Sequence, residues 1–319
     1  MKVGFLRVAE NTRLYGNTYI LWFDAEATPA LSPSPREPVL SSVEGESGLE
    51  TGASPSPRKE RGLGGEDFLA GAGPGQFLML RTADLIAGAD LPPNAGALAD
   101  DPLLPRAMSY HRVRDTAGGR QFSILYDVVG RGTAWLARRQ PGDLVYAWGP
   151  LGNGYSLRNP GQNLLLVGGG IGVAPLLWLA DEAVAKGRSV VLLDGARDAA
   201  GVFPAELVPS EVEVVVTTQD GTMGREGLVT DVYLDYFEWA DTVFVCGPNP
   251  MFAALADVIR AHEGPTRGRV RRAKPVQALL EAQMGCGTGI CYGCAVFDRR
   301  GHPRLVCKEG PRFELRDIW

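Results

Sequence analysis

The sequence predicts a multidomain protein in three parts: an antiparallel β-barrel, an α/β domain on a doubly wound parallel sheet, and a small C-terminal module organised by cysteines. Three observations predict it. Short strand-like runs broken by Gly and Pro fill residues 1–157, as in small antiparallel barrels. Over 158–265 continuous apolar strands alternate with helical patterns, which indicates a parallel sheet covered on both faces. Over 266–319, four of the chain's five cysteines fall at the spacing C-x4-C-x2-C-x12-C.

In order, residues 3–25 alternate apolar and polar well enough for one or two strands, with Gly16-Asn17 a candidate turn. The pattern stops over 28–72, where Pro, Ser, Gly and Glu dominate and Ser-Pro-Ser-Pro-Arg occurs at 32–36 and again at 54–58. Such a segment buries too little apolar surface to offset its ordering entropy, so a mobile insertion is expected there. Strands are expected again at 75–81, 121–129 and 143–148, and a helix at 134–139. In the second part, 163–167, 189–193, 211–217 and 242–246 read as strands, and 174–185 and 251–262 as helices. The basic stretch 267–274 is expected to be a solvated connector, with a docking edge for an acidic partner as the alternative.

The balance of residues is that of a soluble globular protein, 45% hydrophobic and 22% charged, and the net charge of −5 argues against nucleic acid. Residues 1–10 lack the apolar core of a signal peptide. The run 164–180 has no charge but is short for a membrane span and glycine-rich, so strand, turn and helix explain it better. Five cysteines, four of them grouped, suit a reducing cytoplasm.

The grouped cysteines are Cys286, Cys291, Cys294 and Cys307, with Gly285, Gly287, Gly289 and Gly293 between or beside the first three. A loop this tight points several thiolates at one centre, and glycine relieves crowding and permits positive φ. Structural zinc sites use two short hooks, whereas C-x4-C-x2-C with a distant fourth cysteine is the plant-type [2Fe–2S] pattern. Zinc remains the alternative. His302 lies between the third and fourth cysteines, but four thiolates already complete an all-cysteine cluster.

Gly168-Gly169-Gly170-Ile-Gly172 lies between a buried strand and a helix, where backbone N–H groups can receive a pyrophosphate. Cys246-Gly247-Pro248 ends a later strand of the same sheet, the edge at which ligands of open α/β sheets bind. Cys246 is equally readable as a small buried residue. Asp194 ends the second strand and is placed to accept from an adenosine ribose, as in NAD sites, while Arg197 would favour a 2′-phosphate. In the barrel, Arg106-Ala107-Met108-Ser109 precedes a strand and Gly130-Arg-Gly132-Thr133 follows another. An arginine and a glycine turn can hold a flavin's phosphates, and a hydroxyl such as Ser109 can bond a ring nitrogen. Taken alone, they are also a surface arginine and a hairpin turn.

Together with Leu125-Tyr126-Asp127, Gly149-Pro-Leu-Gly152-Asn-Gly154 and the flanks Leu280-Glu-Ala-Gln-Met284 and Cys307-Lys-Glu-Gly-Pro311, these motifs stand in an order that resembles the ferredoxin–NADP reductase superfamily. More closely, the chain resembles the electron-transfer subunits of the NAD-dependent dihydroorotate dehydrogenases, over nearly all of its length except 28–72. The short gap before Cys307 is the most specific feature. The resemblance implies an FAD barrel, a pyridine-nucleotide domain and a [2Fe–2S] domain. It implies that Arg106 to Ser109 line the flavin ring and its phosphates, that Leu125, Tyr126 and Asp127 contact the flavin, and that Gly130, Gly132 and Thr133 hold its pyrophosphate. It assigns the cluster to Cys286, Cys291, Cys294 and Cys307. Met108 stands where relatives often carry an aromatic residue, and Asp127 where they often carry a basic one.

The resemblance further implies an electron relay in pyrimidine biosynthesis, from the FMN of a catalytic dihydroorotate dehydrogenase subunit through [2Fe–2S] and FAD to NAD+, in a heterotetramer of two plus two. It implies no general base for dihydroorotate on this chain. The alternatives are an NAD(P)H-linked reductase subunit of another complex, such as a ferredoxin-dependent transhydrogenase or a hydrogenase, and a non-enzymatic redox-sensing or zinc interaction module.

Overall fold

A computed structural model describes residues 1–26, 67–83, 104–158, 160–264 and 273–319. The low-complexity run, both copies of Ser-Pro-Ser-Pro-Arg, and most of the basic stretch lie outside the described residues. The last residues of the expected insertion do not behave as one. Phe68 is fully buried, Leu69 nearly so, and Tyr110 donates its hydroxyl hydrogen to the Phe68 carbonyl at 3.0 Å. Two adjacent apolar side chains explain this: Phe68 and Leu69 provide the buried area that the preceding Ser/Pro/Glu run lacks.

The first half supplies β1 (Lys2–Tyr15), β2 (Thr18–Asp24), β3 (Phe77–Leu80), β4 (Arg106–Ser109), β5 (Arg112–Thr116), β6 (Gly119–Asp127), the helix α1 (Arg131–Ala137) and β7 (Leu144–Leu151). These strands form one antiparallel seven-stranded sheet in the order β4-β3-β7-β1-β2-β6-β5, coiled as a half-barrel around Leu6, Leu21, Phe23, Leu78, Leu80, Phe122 and Ile124. Arg106–Ser109 precedes the strand β5, as expected, and is itself the edge strand β4, paired with β3 from Phe77↔Ser109 to Leu80↔Arg106. The Gly130 turn opens a helix rather than closing a hairpin.

The second half supplies β8 (Asn163–Gly169), α2 (Ala174–Ala185), β9 (Ser189–Ala196), β10 (Val212–Thr218), β11 (Arg225–Glu226), α3 (Val229–Phe237), β12 (Thr242–Cys246), α4 (Asn249–Glu263), β13 (Val276–Leu279), β14 (Ala295–Phe297), β15 (Pro303–Leu305), β16 (Arg312–Glu314) and α5 (Leu315–Ile318). The sheet order is β11-β10-β9-β8-β12-β13-β16, with every pair parallel except β13–β16. Leu164 to Val167 are buried on both faces, as a central parallel strand requires. Leu164 and Leu166 pack under α2, while Leu165 and Val167 face α3 and α4. Both β13 and β16 lie in the span expected for the cysteine module, yet they extend this sheet. Of the described residues of that module, the loop 281–294, the β14–β15 hairpin, the turn 306–311 and α5 stand outside it.

The halves are tied by polar contacts as well as apolar ones. Arg112 grips Asp181 of α2 with two bonds, Nε to Oδ2 at 2.7 Å and Nη2 to Oδ1 at 2.5 Å. His111, wholly buried, donates from Nδ1 to the Ala174 carbonyl at 2.7 Å, and burial holds its pKa down to about 4, so the ring is neutral.

Candidate functional site

A cavity of about 560 Å³ lies where β4, β6 and the start of α1 meet the carboxyl ends of β12 and β13. It gathers Arg106, Ala107, Met108, Ser109, Leu125, Tyr126, Asp127, Gly130 and Thr133 from the half-barrel, all expected there. It also takes Cys246, Ile171 and Pro175 from the α/β sheet, and Glu281, Ala282 and Met284 from the loop after β13.

Local chemistry sets its polar end. The Thr133 hydroxyl accepts from the Val129 and Gly130 N–H groups at 3.0 and 3.2 Å and donates to the Gly130 carbonyl, which locks the turn that opens α1. Gly132 does not line the cavity. Its role is close approach: a Cβ there would sit 2.7 Å from Arg106 Nε, so only glycine lets the guanidinium lie against the turn. The Tyr126 hydroxyl is buried without a hydrogen-bond partner, and burial raises its pKa. A long apolar cavity with one cationic end and an orphaned hydroxyl fits a flavin bearing a pyrophosphate. Asp127 lines it too, accepting from the Thr18 hydroxyl at 2.6 Å.

A second cavity, of about 370 Å³, opens at the carboxyl edge of the parallel sheet, beside the switch point between β8 and β12. Gly169, Gly170 and Pro248 line it, with Gly195, Arg197, Thr217, Gln219 and Thr230. Gly170 holds φ at +55°, a left-handed conformation favourable to glycine. Gly168, Gly172 and Gly247 serve packing: a Cβ on Gly172 would lie 2.3 Å from the Cys246 carbonyl oxygen, and one on Gly247 2.5 Å from Met251 Cε. Thus the glycine turn and Cys246-Gly247-Pro248 are brought together, and they divide the two cavities between them: Cys246 and Ile171 face the first, Pro248 and Gly170 the second.

Asp194 is placed apart from both cavities. It lies two residues before the end of β9, its side chain on the sheet face toward Tyr15 and Phe203, 1% exposed, and it lines neither cavity. Its Oδ2 accepts from the Phe203 N–H at 2.9 Å, its Oδ1 has no partner, and burial raises its pKa to about 7. The alternation of a strand is the cause: Gly195 points to one face and Asp194 to the other. Arg197, two residues beyond Gly195, is the charged side chain that lines the second cavity.

The four expected cysteines converge on the loop 286–294 and the turn after β15. The Thr288 N–H points at Cys286 Sγ, the Gly293 N–H at Cys291 Sγ and the Cys307 N–H at Cys294 Sγ, all at 3.4 to 3.5 Å. Burial raises the Cys286 thiol, but the backbone N–H groups of Cys291 and Thr288 outweigh it and bring it to about 6. Among the described residues, no three His, Cys, Asp or Glu side chains stand at the spacing that holds a single metal ion. The donor set is nevertheless four thiols with N–H groups directed at three sulfurs, the surroundings of a cysteine-ligated cluster. His302 turns to Asp298, Nδ1 to Oδ2 3.5 Å.

Glu281 is the residue the sequence reading missed. It lines the first cavity and keeps an exposed side chain, yet the protein around it raises its carboxyl pKa by desolvation; the Cys246 thiol, raised first by its own burial, is raised further by Glu281. The available signal was a lone carboxylate two residues past a parallel strand, at the ligand-binding edge.

Known proteins agree with this arrangement. The family profile described as the iron-sulfur cluster binding domain of dihydroorotate dehydrogenase B matches residues 281–318. The dihydroorotate dehydrogenase B (NAD(+)) electron transfer subunit of Bacillus caldolyticus is 38% identical over 249 residues, 77% of this chain and 86% of that protein. That of Desulforamulus reducens is 34% identical over 75% of this chain and 84% of that protein. Among solved structures, an NADH-dependent reduced ferredoxin–NADP oxidoreductase covers 98% of this chain and 89% of its own at a TM-score of 0.68 and 22% identity. The ferredoxin reductase of carbazole 1,9a-dioxygenase has a TM-score of 0.55 and 18% identity, over 83% of this chain and 67% of that one. The structures share the fold, and at 34 to 38% identity over three quarters of its length this chain belongs to the family of dihydroorotate dehydrogenase B (NAD(+)) electron-transfer subunits.

Proposed function

We propose that the chain passes reducing equivalents from a catalytic, dihydroorotate-oxidising subunit to NAD+. The single observation that carries this reading is the serial order of three sites in one molecule. Cys246-Gly247-Pro248 separates the second cavity from the first, and Met284 lines the first cavity two residues before Cys286.

A bound flavin supplies the exchange between hydride and single-electron chemistry, and a [2Fe–2S] cluster supplies single-electron transfer. The chain's own residues bind and orient. Arg106 and the Thr133-locked turn hold the phosphates of FAD, and Ser109 with Leu125 and Tyr126 bounds its ring. The turn at Gly169 and Gly170 receives the dinucleotide's pyrophosphate on backbone N–H groups, and Ile171 with Cys246 closes the nicotinamide end toward the flavin. Cys286, Cys291, Cys294 and Cys307 hold the cluster.

Cys291 is exposed, and the apolar side chains beside it, Ile290 at 81% and Tyr292 at 64%, stand in solvent. An exposed apolar rim around an exposed cysteine supports docking of the catalytic subunit at this loop. The assembly proposed is two catalytic and two electron-transfer subunits, in the reducing cytoplasm to which the free cysteines are suited. No described helix is long and apolar enough to cross a membrane.

The test is an anaerobic absorption spectrum of the purified chain. Flavin and iron–sulfur bands should bleach with NADH alone, and with dihydroorotate only after the catalytic subunit is added. Bleaching with NADH but never with dihydroorotate assigns another partner, and a colourless protein containing zinc overturns the reading.

A further inference from the structure

The cluster loop is seated on the half-barrel, and one indole supplies a hydrogen bond between the first cysteine of that loop and the sheet. Trp148, half-buried on β7, donates its Nε1–H to the backbone carbonyl of Cys286 at 3.1 Å. Directly beside it, Gly287 lies on the floor made by Met79 of β3 and Leu151 of β7. A Cβ on Gly287 would come within 2.6 Å of Met79 Cγ and 2.9 Å of Leu151 Cδ1, and its φ of +70° independently favours glycine. Met79 is paired across the sheet with Trp148 on one side and with Ala107 on the other, and Ala107 lines the first cavity. Strands β7, β3 and β4 therefore form a continuous partition, with the Cys286 loop seated at β7 and β3 and the flavin cavity opening at β4.

From this geometry we infer that Trp148 is a positioning residue for electron transfer: its indole N–H fixes the Cys286 carbonyl to the sheet that bounds the flavin cavity, and thereby sets the rate at which electrons cross between the flavin and cluster sites. The inference rests on the proposed function and adds a residue that touches neither cavity. Two physical effects act together. A hydrogen bond to the carbonyl of a ligand residue fixes the plane of its peptide and withdraws electron density from it, and outer-shell donors of this kind tune a cluster's potential. The same bond removes the freedom of a glycine-rich loop whose backbone would otherwise sample several placements. The electron balance is simple. NADH gives up a hydride, which carries two electrons; the flavin site takes both, and one of them then crosses to the cluster site, which accepts one.

Trp148→Phe keeps the ring against Met79 and removes only the donor. In the holoprotein mixed anaerobically with NADH, flavin bleaching should proceed at the wild-type rate. Appearance of the reduced cluster signal should slow by about tenfold, the lower end of what losing an outer-shell partner costs. The cluster midpoint should move to more negative potential, with iron content retained. Trp148→His, which returns a ring N–H, should recover part of the rate. Cluster reduction within twofold of wild type, at an unchanged potential, overturns the inference. If Trp148→Phe loses its iron, wild-type holoprotein with 15N-labelled indoles decides: one of the six indole N–H resonances must broaden or move on one-electron reduction, and six unmoved resonances overturn the inference. A wild-type cluster that NADH never reduces would instead defeat the proposed function, so the two failures are distinguishable.

Discussion

The guanidinium of Arg106 rests on Gly132 because that residue has no side chain, and this pairing sets what a substitution would do. Alanine at 132 would meet the movable end of Arg106 rather than backbone, so the fold should tolerate it while the phosphate anchor shifts. Gly132→Ala should weaken FAD retention about tenfold, the cost of one charge-assisted bond, with thermal stability nearly unchanged. Equal loss of stability and flavin would show instead that the glycine supports the fold. Asp194 gives the second residue-scale prediction. Its folded pKa of about 7 is raised by burial above the ordinary 3.8, so stability is full at low pH and is lost as pH rises through this window, by on the order of 4 kcal/mol. Asp194→Asn should therefore raise the thermal midpoint more at pH 8.5 than at pH 5.5. Equal shifts at the two values would mean the carboxyl is charged throughout. Because Asp194 avoids the second cavity and Arg197 lines it, Arg197→Gln should lower kcat/KM for NADPH by about tenfold and leave NADH within twofold. Equal effects on both would remove Arg197 from dinucleotide selection.

At the scale of elements, legibility followed the strength of the local pattern. The strand Thr242–Cys246 and the helix Ala174–Ala185 stand where the apolar runs placed them, because both are buried and long enough for their periodicity to be read. Four-residue β4 was missed: none of Arg106 to Ser109 is fully buried, so no alternation marks it, and only pairing with β3 makes it a strand. The end of the insertion was misread for the opposite reason, since Phe68 and Leu69 are a brief apolar signal at the edge of a long polar one. Among the sites, the cysteines and the two glycine turns were visible because their chemistry demands fixed residue types at fixed spacing. Asp194 was expected to end its strand at the ligand edge; β9 runs two residues further, and the side chain lies on the face away from both cavities. Which face a residue occupies depends on what packs above it, and that lies elsewhere in the chain. Glu281 is legible only once β13 is known to join the parallel sheet.

For the whole molecule, the account requires that dihydroorotate-derived electrons enter at the cysteine loop and leave at the second cavity. Docking at the exposed rim follows, so Ile290→Asp with Tyr292→Asp should abolish co-sedimentation with the catalytic subunit while NADH still bleaches the flavin; an intact complex would place the interface elsewhere. The most direct measurement of the order itself uses Cys291→Ser, which removes one cluster ligand and leaves both cavities untouched. With that variant bound to the catalytic subunit, the account predicts iron loss, flavin bleaching by NADH as in wild type, and no flavin bleaching by dihydroorotate. Bleaching by dihydroorotate at the wild-type rate in the iron-free complex would show that electrons bypass the cysteine site, and would contradict the relay.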